Sequence, residues 1–298
     1  MAAVTLSSGA LEATFIPELN LLGTSLRFHG EEFLALPGGL DAYRGLHTTG
    51  LPLLHPWANR LRAWAYSSGR TRVDLHGLDL HTDGRGHPIH GTMSARDEWS
   101  VTELAVRGRI ARLRASFDYE RPDLLAAFPF PHNLGVTIDV DGVGVSIATT
   151  VEPTGRRAVP VSFGYHPYLR LPGAPRSRWT LSMPRRIGIE LDGQGIPTGR
   201  RLELSAEDAP IGARTFDDHF ELERGRVLRL ESREHRLSVE YGRGIRYGQI
   251  FAPPGKSFVC LEPMTAPTNA LVSRTCPLAR PGETFTGRFR IRPERLSR

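Results

Sequence analysis

Hydrophobic and polar residues alternate with a period of two along much of this chain. The first part holds three such runs, at residues 4–6, 11–16 and 22–28, separated by glycine, proline and asparagine. Alternation of this kind between turn residues predicts β-strands. His29-Gly30-Glu31-Glu32 predicts a hairpin turn after the third run. No stretch in this region has the 3.6-residue period of a long helix.

The middle and the end of the chain continue the pattern. Residues 111–119, 134–140 and 143–151 are predicted strands, and Asp141-Gly142 between the last two is a strong hairpin signal. Further strands are predicted at residues 161–168, 179–189, 227–230, 237–241, 247–251, 258–264 and 287–291. The fold class predicted is therefore all-β with an antiparallel meander. A chain of 298 residues can form one large all-β domain or two ordinary ones.

Composition is typical of a soluble protein, with 40% hydrophobic and 23% charged residues. No run approaches the roughly 18 apolar residues of a membrane helix, so no membrane association is expected. The N-terminus has neither a basic start nor an apolar core, which predicts no signal peptide. Cys260 and Cys276 are too few for a disulfide framework. A cytoplasmic protein is expected.

The formal net charge of +6 raises the question of nucleic-acid binding. Lys256 is the only lysine, so all the other basic residues are arginine. These arginines are interspersed with 32 acidic residues and form no basic block. Nucleic-acid binding is therefore not expected.

Residues 161–168 hold the first candidate for chemistry. Read as a strand, they place His166 on a small, polar face beside Gly164, which would leave room for a ligand. Pro167 holds His166 in an extended conformation, and a histidine titrates near neutrality. The alternative is a hydrogen-bonded histidine with no chemical role.

Asn59-Arg60 supplies hydrogen-bonding groups suited to sugar hydroxyls, although it also suits a surface turn. Gln249, on a predicted strand, is another residue that can both donate and accept. Asp217-Asp218, between aromatic residues, is either a pair of ligand-binding carboxylates or a solvated turn.

Two histidines three residues apart, His87 and His90, suggest a metal site. Pro88 and Gly91 argue against a helix here, and no third ligand stands at a recognisable spacing. No metal is therefore predicted, although a metal-dependent enzyme using both histidines remains an alternative. The better functional interpretation is that His90 contacts a ligand, because backbone can approach closely at Gly91.

Glu262 lies on an apolar strand face with Phe258, Cys260 and Met264. A carboxylate in such a place is costly unless it is paired. Burial of this kind raises the pKa of a carboxyl and can produce a base that is useful near neutral pH. Pro263 holds Glu262 extended, as Pro167 does for the histidine.

These segments together resemble the aldose 1-epimerase (galactose mutarotase) family over essentially the full chain. The matching motifs, in the family's order, are Ala58-Asn59-Arg60, Ile89-His90-Gly91, Tyr165-His166-Pro167-Tyr168, Phe216-Asp217, Tyr247-Gly248-Gln249 and Leu261-Glu262-Pro263. Asn20 stands where the family has an early glycine, a departure that affects local turn geometry.

The resemblance implies one domain over residues 1–298, a large antiparallel β-sandwich that holds a sugar on a concave sheet. It implies that Glu262 is the general base, His166 the general acid and His90 a second catalytic histidine. The residues that it implies for binding sugar hydroxyls are Asn59, Arg60, Asp217 and Gln249. Asp218 is an alternative to Asp217.

The implied chemistry is the exchange of α and β anomers of a free hexose by ring opening and reclosure. A carboxylate and an imidazolium on opposite sides of the ring would suffice, so no cofactor is expected. The pH profile should be bell-shaped, with Glu262 on the acidic limb and His166 on the basic limb. The alternatives are an epimerase of a phosphorylated or sulfonated sugar and a non-catalytic sugar-binding protein. The expected partner is a small sugar, and the chain is expected to be a monomer or homodimer.

Overall fold

The computed structural model describes residues 2–94, 96–223 and 225–296. The first strands are β1 (Val4–Ser8), β2 (Leu11–Ile16), β3 (Leu22–Phe28), β4 (Glu31–Glu32), β5 (Leu53–Leu54), β6 (Ala65–Ser68), β7 (Thr71–Asp74), β8 (Ser100–Arg107) and β9 (Ile110–Tyr119). Next come β10 (His132–Val140), β11 (Val145–Pro153), β12 (Val159–Pro160), β13 (Gly164–Tyr165), β14 (Tyr168–Leu169), β15 (Thr180–Met183), β16 (Arg186–Leu191), β17 (Pro197–Leu204) and β18 (Glu207–Pro210). The last are β19 (Phe216–Glu221), β20 (Val227–Glu231), β21 (His235–Tyr241), β22 (Tyr247–Ala252), β23 (Val259–Met264), β24 (Leu278–Ala279) and β25 (Phe285–Arg295).

Short helical segments connect some of these strands. They are α1 (Gly39–Arg44), α2 (Pro122–Ala127), α3 (Ala270–Ser273) and the 3₁₀ turns Pro17–Leu19 and Arg176–Arg178. Within the described residues, none of the helices has the length and apolar character needed to cross a bilayer.

Two large antiparallel sheets form the fold. The first has the strand order β18-β15-β20-β21-β25-β11-β10-β9-β8. The second has the order β17-β16-β19-β22-β23-β13-β5, and β14 also pairs with β23. A four-stranded sheet, β1-β2-β3-β4, and the pairs β12-β24 and β6-β7 complete the structure. The predicted all-β antiparallel fold class is confirmed.

The two large sheets pack face to face through the main hydrophobic core. Tyr165 of β13 packs on Phe289 of β25 with ring centroids 4.8 Å apart. The Tyr165 hydroxyl also lies 2.6 Å from Oγ1 of Thr149 on β11. Buried side chains from both sheets, such as Leu113 and Leu261, belong to the same core cluster. Burial of this apolar surface is the main force that holds the sandwich together.

The prediction of one strand over residues 179–189 is wrong. The chain forms β15 and β16 instead, and they belong to different sheets. Pro184 lies between them, where the chain leaves one sheet for the other, and proline cannot donate to a sheet ladder. The polar residues that follow, predicted as a loop, form the edge strand β17. Its exposed side chains conceal the strand pattern, because neither face of that strand is fully covered.

The segment around His166 is also less regular than predicted. It contains β13 and β14 as two short strands, with His166 between them. Gly164 does not leave room for a ligand: an added Cβ there would lie 2.8 Å from the Pro263 carbonyl oxygen and 2.9 Å from Cβ of Ala58. The glycine therefore allows β13 to pack tightly against β23, which fixes the position of the adjacent His166.

Asn20, at a position where a glycine was expected, follows the 3₁₀ turn Pro17–Leu19. Its backbone is left-handed, with φ of 54°, a conformation that asparagine tolerates better than most residues. The buried side chain donates to the Leu53 carbonyl oxygen at 3.0 Å and accepts from the Trp99 indole N–H at 3.0 Å. Asparagine therefore adopts the left-handed turn and makes hydrogen bonds that glycine has no side chain to make.

Candidate functional site

Three neighbouring strands of the second sheet direct polar side chains to one face. Gln249 on β22 lies directly opposite Glu262 on β23, and His219 on β19 lies opposite Gln249. Directly paired residues of an antiparallel ladder share a face, and so do residues two apart on a strand. Asp217 therefore joins Gln249 and Glu262 on this face, whereas Asp218 points to the other.

Two loop segments meet beside this face. Arg60 pairs with Ile89 in an isolated antiparallel bridge, and the His90 backbone N–H donates to the Asn59 carbonyl oxygen at 3.1 Å. Asn59 and His90 both have positive φ, at 58° and 65°. The left-handed backbone makes the chain turn at both residues. Two motifs about thirty residues apart in the sequence thus become one structural unit.

Gly91 supports this unit differently from the prediction. An added Cβ would lie 2.1 Å from the His55 carbonyl oxygen, so the close approach at Gly91 is to the chain itself and not to a ligand. With φ of 76°, the position favours glycine. Gly91 therefore helps to hold the adjacent His90 in place.

All seven predicted site residues line a single cavity of about 180 Å³. Its lining residues are Thr48, Asn59, Arg60, Ile89, His90, His166, Tyr168, Asp217, Gln249, Phe251 and Glu262. Asp218 is absent from this lining and instead lines a larger cavity of about 470 Å³, which Asp217 also borders. Of the two adjacent aspartates, the structure thus brings Asp217 to the other predicted residues.

Glu262 and His166 are in direct contact at the bottom of the cavity. Nε2 of His166 lies 3.2 Å from Oε1 of Glu262, and their side chains are only 7% and 2% exposed. The expectation that they stand on opposite sides of a sugar ring is therefore wrong.

Burial controls the charge of this pair. Burial raises the pKa of Glu262 well above its usual range, and the nearby Asp217 carboxylate raises it further. Burial also lowers the pKa of His166 to about 4. Both directions have one physical cause, the cost of placing a charge away from water. Burial therefore favours the protonated carboxyl and the neutral imidazole over the ion pair.

Aromatic rings hold His166 in place. Its ring stacks on Tyr168 with centroids 4.7 Å apart and meets the edge of His90 at 5.5 Å. The Tyr168 hydroxyl lies 2.7 Å from Oγ1 of Thr48. Burial, followed by the neighbouring His166, lowers the pKa of His90 well below its usual value. His90 is therefore a neutral hydrogen-bonding group in this cavity.

A chain of polar contacts crosses the opposite wall. Nε of Arg60 donates to Oδ2 of Asp83 at 2.7 Å, and Nη1 donates to Oδ1 of Asn59 at 3.1 Å. Nη2 faces Oδ2 of Asp217 at 3.8 Å, which is too long for a hydrogen bond. Gln249 donates to the other oxygen of Asp217 at 2.6 Å.

Three polar atoms of the lining residues have no hydrogen-bond partner within the described residues. They are Oε1 of Gln249, Nδ1 of His90 and Nδ1 of His166. Other unpartnered buried polar atoms lie outside this cavity, for example Nδ1 of His55 and the Tyr241 hydroxyl.

Some lining residues were absent from the predicted site. Thr48 lies in a loop and carries no motif, so the sequence contains no signal for it. The same holds for Asp83, which does not line the cavity but contacts the lining residue Arg60. Tyr168 and Phe251 occupy predicted strands, but only the fold shows that they face the cavity. The metal alternative gains no third ligand: the described residues contain no group of three or more His, Cys, Asp or Glu placed to hold a metal ion.

Known structures show the same fold. A galactose mutarotase-like protein from Clostridium acetobutylicum has a TM-score of 0.88 at 19% identity, with 99% of this chain and 95% of that one covered. The galactose 1-epimerase of Lactobacillus acidophilus NCFM has a TM-score of 0.80 at 16% identity, with 99% and 95% covered. No curated protein sequence matches the chain significantly.

The fold and the site define a β-sandwich protein of the galactose mutarotase-like class with a buried carboxyl–imidazole pair. The sequence profile of the family described as aldose 1-epimerase matches residues 24–292. This match covers most of the chain, and the protein belongs to the aldose 1-epimerase family, a family of carbohydrate epimerases.

Proposed function

We propose that the protein is an aldose 1-epimerase that exchanges the α and β anomers of a free neutral hexose. The observation that carries the proposal is the contact between Glu262 and His166, 3.2 Å apart, at the bottom of a polar cavity. A general acid and a general base in contact suit a reaction that moves two protons at one carbon atom.

In the proposed reaction, the Glu262 carboxylate takes the proton of the C1 hydroxyl while the His166 imidazolium gives a proton to the ring oxygen. The bond between C1 and the ring oxygen breaks, and C1 becomes an aldehyde carbon. Rotation about the C1–C2 bond presents the other face of the carbonyl group. The former ring oxygen then attacks C1, His166 takes its proton back, and Glu262 returns a proton to the carbonyl oxygen.

The other lining residues would hold the sugar during this rotation. Asn59, Arg60, Asp217 and Gln249 offer donors and acceptors for hydroxyl groups. His90 is a neutral imidazole beside His166 and is proposed as the second catalytic histidine. It would form a hydrogen bond near the ring oxygen without competing for the transferred proton.

A neutral sugar is favoured by the charges around the cavity. Arg60 is the only basic residue among the described lining residues besides the two histidines, and it already contacts Asp83. Asp217 and Glu262 line the same space. An epimerase of a phosphorylated or sulfonated sugar remains the main alternative within the family. We further propose that residues 1–298 form a single domain and that the reaction needs no cofactor.

Exchange spectroscopy by NMR across a panel of aldoses tests the proposal. The protein is expected to accelerate anomer exchange of at least one neutral hexose far above the rate in buffer. Binding without acceleration would instead indicate a non-catalytic sugar-binding protein. A protein that accelerates no aldose contradicts the proposal.

A further inference from the structure

Asp83 is a buried carboxylate that lies just behind the sugar cavity. Its side chain is only 8% exposed. One oxygen, Oδ1, accepts the backbone N–H groups of Arg85 at 2.9 Å and His87 at 3.0 Å. The other oxygen, Oδ2, accepts Nε–H of Arg60 at 2.7 Å. The loop thus holds the carboxylate in place, and the carboxylate holds the arginine.

Asp83 carries its charge in this position. Burial works to raise the pKa of Asp83, but hydrogen bonds from the His87 backbone and the Arg60 guanidinium outweigh it, and the pKa lies below its usual value. The guanidinium of Arg60 is itself mostly buried, with its side chain 13% exposed. The two groups therefore form a fixed ion pair rather than a mobile surface contact.

The other side of the guanidinium is also occupied. Nη1 of Arg60 donates to Oδ1 of Asn59 at 3.1 Å. Gly195 packs against the same nitrogen so closely that an added Cβ would lie 3.1 Å from it. Nη2 remains, and it faces Asp217 across a gap of 3.8 Å. A sugar hydroxyl in that gap can accept from Nη2 and donate to Asp217.

This geometry restricts what Arg60 can recognise. Arginine binds phosphate and sulfonate groups best through two parallel hydrogen bonds from neighbouring nitrogens. Each such pair on Arg60 includes Nη2 and a second nitrogen. The only N–H of Nε already donates to Asp83, and one of the two N–H groups of Nη1 donates to Asn59. The negative charges of Asp83 and Asp217 also flank the guanidinium. A sugar hydroxyl, by contrast, is uncharged. It can bind Arg60 through a single N–H donor, without a positive potential.

We propose that Asp83 is a specificity-determining residue that makes the site select neutral sugars over anionic ones by engaging Arg60. The inference rests on the proposed function and extends it from the reaction to the choice of substrate. Asp83 touches no substrate atom in this account and acts only by positioning and neutralising Arg60.

Asp83→Asn is the variant that tests this role. The amide oxygen can still accept the backbone N–H groups of Arg85 and His87, so the loop keeps its support. The amide nitrogen cannot accept from Arg60, and the negative charge is lost. Nε of Arg60 is thereby left without its acceptor, and the negative charge that opposes an anion beside the guanidinium is removed.

The measurement is the ratio of kcat/KM for glucose 6-phosphate to kcat/KM for glucose. Wild type is expected to prefer glucose. Asp83→Asn should raise the ratio by about tenfold, the size of one charge-assisted hydrogen bond. Any decrease in kcat/KM for glucose in Asp83→Asn should come mostly from a higher KM. The reason is that the contact between Glu262 and His166 is unchanged.

Asp139→Asn is the matched control. Asp139 of β10 forms a similar ion pair with Arg112 of β9, at 2.6 Å and 2.9 Å, and neither residue lines the cavity. This variant should leave the substrate ratio unchanged. A ratio that stays within twofold of wild type in Asp83→Asn, or that shifts equally in Asp139→Asn, would overturn the inference.

Dissociation constants for the same two sugars, measured by calorimetry, separate this inference from the proposed function. If wild type binds sugar but exchanges no anomers, the proposed function fails, and the ratio of dissociation constants still tests Asp83. If wild type exchanges anomers and the ratio does not respond to Asp83→Asn, only the inference fails. A wild type that neither binds nor converts glucose or its 6-phosphate overturns the inference, and the panel of aldoses then decides the proposed function.

Discussion

At the scale of single residues, the predicted site residues share one cavity, but their contacts differ from the prediction. The types of Glu262 and His166 indicated a base and an acid, because a carboxylate and an imidazole are suited to those roles near neutral pH. Their direct contact of 3.2 Å depends on how β13 packs on β23, and no local pattern encodes it. Asp83 illustrates the same limit, since a single aspartate in a loop resembles many solvated turns.

The first prediction concerns the catalytic pair. Glu262→Gln keeps the shape of the side chain and removes the base, and His166→Asn removes the titratable ring. Each should lower kcat by at least about a hundredfold, as measured by anomer exchange. Burial disfavours the Glu262 carboxylate, so Glu262→Gln should not lower the free energy of unfolding. The double variant should lose far less than the product of the two effects.

Controls for this prediction are sugar binding and thermal unfolding of each variant, which should both remain close to wild type. If Glu262→Gln kept more than about a tenth of the wild-type rate, a loss well below the usual size for a general base, another residue would have to be the base.

The second prediction is a bell-shaped dependence of kcat/KM on pH, because the pair must hold one proton. Burial raises the pKa of Glu262 and lowers that of His166 to about 4, which reverses the limbs expected from the sequence. The acidic limb should mark protonation of His166, and the basic limb should mark loss of the proton from Glu262. The working form, a carboxylate beside an imidazolium, is then a minor fraction of the singly protonated pair.

Carbon-13 NMR of the Glu262 carboxyl carbon, assigned with Glu262→Gln, checks this prediction alongside the pH profile. The carboxyl should titrate above the usual glutamate pKa of about 4.3. The opposite result would be a carboxyl that titrates at or below that value and an imidazole that titrates above neutrality. It would assign the acidic limb to Glu262 and the basic limb to His166, as expected from the sequence.

At the scale of strands, period-two alternation found the strands whose two faces differ in burial. β10 shows strict alternation of buried and half-buried positions, and its prediction as residues 134–140 missed only the first two residues of the strand. β17 was missed because most of its side chains are exposed. β19 was not identified as a strand, because two adjacent aspartates resemble a turn. Only the structure shows that Asp217 and Asp218 lie on opposite faces of a strand. Strand pairing decides which aspartate enters the cavity.

The third prediction tests the packing that positions His166. Gly164→Ala would place a Cβ within 2.9 Å of Ala58 and Met264. It should reduce the free energy of unfolding by about 1–3 kcal/mol, as measured by denaturant titration. Displacement of His166 should also lower kcat by about tenfold or more.

Gly193→Ala is the matched control, since an added Cβ there would meet nothing within 4 Å. It should change stability by no more than about 0.5 kcal/mol and leave kcat unchanged. Equal effects at the two glycines would show that the close contact between β13 and β23 does not position the histidine.

At the scale of the whole molecule, the fourth prediction is that activity does not depend on a metal ion. The proposed reaction uses only proton transfer, and His87 and His90 gain no third ligand among the described residues. Anomer exchange should be unchanged after dialysis against a chelator, with metal content measured on the same sample. Near-stoichiometric zinc, iron or manganese, whose removal abolishes activity, would contradict the proposed mechanism.

The sequence by itself determined the fold class, the family and the candidate residues of the site. These follow from local alternation and from short motifs, each of which is readable within a few residues. Only the tertiary structure decided that Asp217 rather than Asp218 enters the cavity, that Glu262 touches His166, and that Asp83 engages Arg60. These contacts join segments that are far apart in the chain, and they depend on strand register and sheet packing. When one strand moves by one residue, its side chains move to the opposite face of the sheet.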